Sequence, residues 1–255
     1  MQPRISDLEL PIAVQYGELR LSIVLPAYNE AASLRQNVES IEKVASQITS
    51  RYQIVIAEDG CTDETAKIAG DISKKHPEIL HLHSDHRLGK GRALKKALKA
   101  SEGRVVVFMD MDLSTELSSL HDVVKLVENG YDAVIGSRYV HGSHASRPPL
   151  RSIASRIYNL TVRLLFRDSF LDHQCGFKGF DQQALKEVLE EVNDNDFLFD
   201  TELILKMKRR KMRIIEIPVR WIEPEERNSR FNLLTDGIVM LFKLFKLRLT
   251  IGNEA

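Results

Sequence analysis

Three times in the first half of the chain, a short apolar run breaks off at a cluster of polar residues. Residues 21–27 (LSIVLPA) lead into Tyr28-Asn29-Glu30, residues 54–57 (IVIA) into Glu58-Asp59-Gly60, and residues 104–109 (RVVVFM) into Asp110-Met111-Asp112. Runs this short and this rich in Val and Ile read as buried strands. Between them lie apolar residues at helical spacing. Leu34, Val38, Ile41, Val44, Ala45 and Ile48 mark a helix within residues 30–49, and Ala66, Ile68 and Ala69 mark another behind a cap at Thr62 or Asp63. Residues 79–82 and 133–136 are further expected strands, and residues 92–100 and 117–128 further expected helices. Such alternation calls for crossover connections, and so for an α/β, Rossmann-like, mostly parallel sheet flanked by helices. Ligands of these sheets sit beyond the carboxyl ends of the strands, where all three polar clusters fall.

The second half has a different pattern. Residues 150–166 predict a helix that mixes Ile153, Ile157, Leu160, Leu164 and Leu165 with Arg151, Arg156 and Arg163. Those arginines are either the solvated face of a core helix or donors facing an anionic lipid acceptor. Residues 168–179 read as irregular, 182–191 and 197–211 as helices, and 213–221 as one strand with Pro218 at an edge or bulge. Residues 233–251 predict an amphipathic helix that turns Ile238, Leu241, Leu244, Phe245 and Leu249 largely to one side, with Lys243, Lys246 and Arg248 in reach of headgroups. The expected organisation is an N-terminal arm over 1–20, a single α/β domain over 21–232, and an amphipathic helix and tail over 233–255.

Charge narrows the partners. Lys plus Arg and Asp plus Glu number 36 each, so no global field favours nucleic acid. Cys61 and Cys175 are too few for a cysteine-bound metal cluster and fit a reducing compartment. The longest stretch free of Asp, Glu, Lys and Arg is residues 21–29, whereas a spanning helix needs about 18 or more apolar residues. The expectation is a cytoplasmic protein that meets a membrane only peripherally.

Asp110 and Asp112 close a strand, and a turn there lets both carboxylates approach one cation. Hard oxygen ligands suit Mg²⁺ or Mn²⁺, which commonly bridge carboxylates and a diphosphate. Taken alone, the pair also fits a solvated loop start. Leu88-Gly89-Lys90-Gly91-Arg92 lacks the Walker spacing; it reads either as an anion-binding helix start or as a flexible loop. No G-x-S-x-G or H-E-x-x-H motif is present in the sequence.

In order and spacing, Pro26-Ala27-Tyr28-Asn29-Glu30, Glu58-Asp59-Gly60-Cys61-Thr62-Asp63, Gly89-Lys90-Gly91 and Asp110-Met111-Asp112 resemble the inverting family-2 glycosyltransferases of GT-A fold. Gly136-Ser137-Arg138-Tyr139, residues 151–156 (RSIASR) and residues 172–178 (DHQCGFK) narrow the resemblance to polyprenyl-phosphate (dolichol-phosphate) mannose and glucose synthases of archaeal type. The resemblance covers residues 21–230. It implies that Pro26, Tyr28, Glu30 and Asp59 frame the base and ribose of a nucleotide sugar of GDP-mannose or UDP-glucose type, with Lys90 close by. It also implies that Asp110 and Asp112 hold Mg²⁺ or Mn²⁺ on the diphosphate, and that Arg138, Arg151 and Ser155 meet the lipid phosphate with Arg227 or Arg230. Asp112, Arg138 and Asp200 are the catalytic candidates it points to, although Asp200 equally fits a helix N-cap. Two departures stand out. Ser114 replaces a Gln often found on the metal side, and Glu58 replaces the first Asp of Asp-Asp-Gly.

The activity implied is metal-dependent transfer of mannose or glucose from a nucleotide sugar to a polyprenyl phosphate, at the cytoplasmic face of a membrane. Transfer to a lipid-linked or soluble glycan, and a catalytically silent nucleotide-sugar-binding adaptor, are the alternatives. Cys175 and His173 are expected to shape their loop rather than act as nucleophile or metal ligand.

Overall fold

The computed structural model describes residues 19–223 and 235–253. The first half alternates as the apolar runs require: β1 (Leu21–Ala27), α1 (Leu34–Ile48), β2 (Tyr52–Glu58), α2 (Thr65–Ser73), β3 (Ile79–Leu82), α3 (Lys90–Lys99), β4 (Val105–Met109), α4 (Ser119–Glu128) and β5 (Ala133–Ser137). Then follow β6 (His144–Ser146), α5 (Pro149–Phe166), β7 (Phe177–Asp181), α6 (Gln182–Leu189), α7 (Phe199–Arg209), β8 (Ile214–Pro218), β9 (Arg220–Ile222) and α8 (Thr235–Asn253).

Seven strands form one sheet in the order β3-β2-β1-β4-β7-β5-β8, and β6 pairs with β9 in a second, two-stranded sheet. β3, β2, β1 and β4 run parallel, as do β5 and β8, while β7 is antiparallel to both neighbours. Parallel strands covered on both faces explain the unbroken apolar runs. One layer of core packs α1, α2 and α4 on the sheet through Leu34, Val38, Ile41, Ala69, Val123 and Val127. The other packs α3, α6 and α7 through Leu94, Ala97, Leu185, Leu203 and Met207. A third cluster joins α5, α7 and α8 through Tyr158, Val162, Leu205, Met240 and Leu244.

Several expectations need correction. Residues 168–179 are not irregular throughout, because Phe177–Asp181 forms a strand in the middle of the sheet. A lysine at its second position hid it, yet Lys178 is fully buried. Residues 213–221 are two strands in two sheets, parted after Pro218, which ends the edge strand β8. The helix over 30–49 begins only at Leu34, because Asn29 takes a left-handed turn at φ 53°. On α8, Leu244 is buried in the core and Lys243 turns to Asp194 and Asp196 at 2.7 and 3.2 Å, so neither belongs to a lipid-facing side. Most of the predicted arm over 1–20 lies outside the described residues.

Candidate active site

The carboxyl ends of β1, β2 and β4 meet as parallel pairing demands, and hydrogen bonds lace their turns together. After β1, the Asn29 side chain exchanges hydrogen bonds with Thr62: Nδ2 donates to Thr62 Oγ1 at 2.9 Å, and Oδ1 accepts Thr62 N–H at 2.8 Å. Glu30 N–H donates to Thr65 Oγ1 at 2.7 Å. Pro26 stands half-buried one residue before the end of β1. The Tyr28 ring lies under the Arg87 guanidinium, 4.3 Å from its centroid.

Asp59, just past β2, is buried and accepts backbone N–H groups from Leu88 at 2.6 Å and Gly89 at 3.1 Å. One acid thus fixes the glycine-containing segment. Both glycines there have a packing reason. A Cβ on Gly89 would lie 2.5 Å from Asp196 Oδ1, and one on Gly91 would lie 2.8 Å from the Asn195 carbonyl carbon. Their bare faces meet the 195–196 turn, so the loop is held rather than loose. Lys90, between them, reaches across to Asp110, with Nζ 2.8 Å from Oδ1.

Asp110 and Asp112 flank Met111, whose buried side chain anchors the turn. Asn37 Nδ2 donates to the Met111 carbonyl at 2.8 Å. Gly176 backs the Asp110 carboxylate so closely that a Cβ would come within 2.0 Å of it. Asp112 Oδ1 accepts both the N–H and the hydroxyl of Ser114, at 3.0 and 2.8 Å. Ser114 therefore orients Asp112, which gives this departure a job of its own. The donor set fits a hard divalent cation: two carboxylates at one strand end, one of them already facing the ammonium of Lys90. Glu58 points elsewhere, to Cys61 N–H and His83, both at 2.5 Å.

A second group of residues gathers around Trp221. Thr115, soon after Asp112, bridges to Trp221 and ties this group to the end of β4. Arg138, just past β5, grips the buried Asp172 with Nε at 2.7 Å and Nη2 at 2.8 Å. Burial opposes the charge on Arg138, but Asp172 overrides it and raises the guanidinium pKa; Arg138 in turn lowers that of Asp172 against burial. Arg138 therefore serves a structural ion pair, a commitment its sequence position does not reveal. Its guanidinium lies 5.5 Å from the Trp221 ring, and that of Arg147 lies 5.1 Å from it. Arg147 Nε and Nη1 are buried without hydrogen-bond partners, and burial followed by the Arg138 charge lowers its pKa. Sequence reading missed Arg147, since nothing in its spacing separates it from a loop arginine. Arg151 pairs with Glu223, while the Ser155 hydroxyl is buried without a partner. Arg227 and Arg230 lie outside the described residues.

Asp200 is not an N-cap. Leu198 holds that position, and Asp200 sits inside the first turn of α7 with Oδ1 buried and unpartnered. Its Oδ2 lies 4.0 Å from Lys178 Nζ, which donates to the Cys175 carbonyl at 2.5 Å. Burial pushes the Cys175 thiol up to about 12, and His173 is wholly buried between Asp168 and Asn159, at 2.5 and 3.0 Å. Both fit the loop-shaping role expected of them.

Comparison with known proteins then decides the family. Residues 22–189 match Glycosyl transferase family 2. The chain belongs to that family. It is 40% identical over 233 residues to glycosyltransferase AglD of Haloferax volcanii, an alignment covering 90% of this chain but 37% of that protein. It is 27% identical over 252 residues to the dolichyl-phosphate beta-glucosyltransferase of Saccharomyces cerevisiae, covering 91% of this chain and 75% of the relative. Glucosyl-3-phosphoglycerate synthase from Mycobacterium tuberculosis, in complex with UDP, shares the GT-A fold with a TM-score of 0.66 at 20% identity, over 91% of this chain and 79% of its own. A mannosyltransferase from Pyrobaculum calidifontis in complex with GDP-Man and Mn²⁺ has a TM-score of 0.55 at 19% identity, over 87% of this chain and 62% of its own. The expected family and GT-A fold are both met.

Proposed function

We propose that this family-2 glycosyltransferase moves a hexose from a nucleotide sugar to a polyprenyl phosphate, with inversion, at a membrane surface. The observation that carries the reading is the double role of α5. Its first turns carry Arg151, which pairs with Glu223 two residues past Trp221, and the buried, unpartnered Ser155 hydroxyl, while Leu150, Ile153, Ile157, Leu160 and Leu164 stand exposed along its outer side. One helix thus offers phosphate donors and an apolar face. Ile238, Val239, Phe242, Phe245 and Leu249 of α8, which shares a core with α5, are exposed as well. The exposed Arg156, Lys246 and Arg248 stand among them, a pairing of basic and apolar groups that fits a lipid interface. No helix among the described residues is long and apolar enough to cross a membrane. The names of the relatives, dolichyl-phosphate beta-glucosyltransferases among them, support the same acceptor.

In this reading Pro26, Tyr28, Glu30 and Asp59 frame the nucleoside of a UDP-glucose-type or GDP-mannose-type donor, and Lys90 stands at its phosphates. Asp110 and Asp112 would hold Mg²⁺ or Mn²⁺, which neutralises the charge that develops on the leaving nucleoside diphosphate. An oxygen of the acceptor phosphate attacks the anomeric carbon opposite the leaving group. A new carbon–oxygen bond forms as the sugar–diphosphate bond breaks. The acceptor is anionic near neutral pH, so no strong general base is needed. The protein must instead hold two anions close together, which favours forked guanidinium donors. Arg147, Arg151 and Ser155 take the acceptor phosphate, with Arg227 or Arg230 as a further donor. Arg138 positions this group through Asp172. Asp200, with one carboxylate oxygen buried and unpartnered, is the candidate acid near the acceptor.

The test is a panel of nucleotide sugars, each given with Mg²⁺ or Mn²⁺ and a polyprenyl phosphate. One donor should yield a lipid-soluble glycosyl phosphate. Turnover of the donor with only soluble glycan acceptors would replace this reading.

A further inference from the structure

β3 and the residue after it carry two histidines, His81 and His83, spaced so that both leave the sheet on one face. Strand register pairs Ile56 with His81 and Ala57 with Leu82, which brings Glu58 beside His83. The Glu58 side chain is fully buried, and its Oε2 lies 2.5 Å from His83 Nδ1. One oxygen of Glu58 and one ring nitrogen from each histidine all fall within 4.8 Å of one another. Two more observations point to a ligand. His83 Nε2 lies 3.1 Å from Asp85 Oδ1, the outer carboxylate that commonly fixes a metal-binding imidazole in the right tautomer. His81 Nε2 is buried with no hydrogen-bond partner.

We propose that Glu58, His81 and His83 bind one borderline-soft divalent cation of the zinc class, clamping the carboxyl end of β2 to β3. Two imidazoles and one carboxylate suit zinc and leave the fourth position to water. This chemistry differs from the all-oxygen pair Asp110 and Asp112, and it does not depend on the acceptor assigned above. A second cluster, Glu42, His76 and Glu78, has a single imidazole and lies half-exposed, so it serves as the control.

The experiment uses the whole chain, stripped with EDTA and carrying Asp112→Ala to break the carboxylate pair. Zinc is titrated against a chromogenic chelator, and melting is followed with and without one equivalent of zinc. The expected result is one bound zinc and a higher melting temperature, since an ion that binds only the folded state stabilises it. His81→Ala should weaken binding by more than about tenfold, and Asp85→Asn, which leaves all three ligands in place, by roughly 10- to 100-fold. His76→Ala should bind zinc normally. No stoichiometric uptake would overturn the proposal, as would uptake unchanged in both His81→Ala and Asp85→Asn.

Discussion

The guanidinium of Arg138 and the carboxylate of Asp172 form a two-pronged ion pair at 2.7 and 2.8 Å, with side chains 6% and 0% exposed. Asp172 is itself held by the Glu216 carboxylate through its backbone N–H at 2.9 Å, so the pair is built into the floor of the arginine group. A residue that looks in sequence like an acceptor ligand is first of all a structural partner. Removing one member of such a pair strands the other charge, at a cost of about 3–5 kcal/mol. Arg138→Ala should therefore lower unfolding stability by that order in urea titrations. A shift below about 1 kcal/mol would show that Asp172 finds another partner.

The same pair sets an acid limb. Burial works against the Asp172 charge, but Arg138 outweighs it and holds the folded-state pKa below the usual carboxylate value. A depressed pKa gives stability that is complete above the unfolded pKa, about 3.9, and lost as pH falls through the folded one. Urea midpoints should fall as pH drops below about 4. Asp172→Asn should start lower and slope less over the same range. An equal slope would assign the acid limb to other carboxylates.

Arg147 gives the sharper test of acceptor binding, because two of its nitrogens are buried without partners. Arg147→Ala should raise the KM for polyprenyl phosphate about tenfold or more, in line with roughly 1.5–3 kcal/mol for a hydrogen bond to a charged group. Donor affinity, measured by calorimetry with the nucleoside diphosphate, should hold. Loss of donor affinity alone would move Arg147 to the other half of the site.

The exposed face of α8 can be altered without touching the core. Phe242 and Phe245 are 73% and 52% exposed, whereas Met240, Leu244 and Leu247 fill the cluster with α5 and α7. The double variant Phe242→Ser, Phe245→Ser should keep its melting temperature and lose flotation with anionic liposomes. Each basic group near such a surface adds about 1 kcal/mol, so wild-type flotation should also weaken in high salt. A wild type that never floats would contradict the lipid interface.

How much of this was legible in the sequence depended on what kind of signal each residue gives. The parallel half was readable, because strands buried on both faces must be continuous apolar runs, and residues 21–27 and 105–109 are. β7 was not, since Phe177-Lys178-Gly179 breaks every strand pattern until the sheet is seen to bury the lysine against Phe108, with Nζ 5.2 Å from the ring centroid. Asp59, Lys90 and Asp110 were found by motif, and the structure joins them through Leu88, Gly89 and an ion pair. The true partners of Arg138 and Arg151, namely Asp172 and Glu223, lie 34 and 72 residues away in sequence. No local pattern announces a pairing at that range. The same holds for His81 and Glu58, whose meeting depends on strand register.

Hexose transfer to a lipid phosphate at Asp110 and Asp112 is tested most directly by the partition of radiolabelled sugar between aqueous and organic phases after incubation with nucleotide sugar, polyprenyl phosphate and Mn²⁺ or Mg²⁺. Label should enter the organic phase with wild type. It should fall by about 10²-fold or more with Asp112→Ala, the scale on which losing a transition-state charge contact acts. Label that stays in the aqueous phase while donor is consumed, or enters the organic phase equally with Asp112→Ala, would contradict the account.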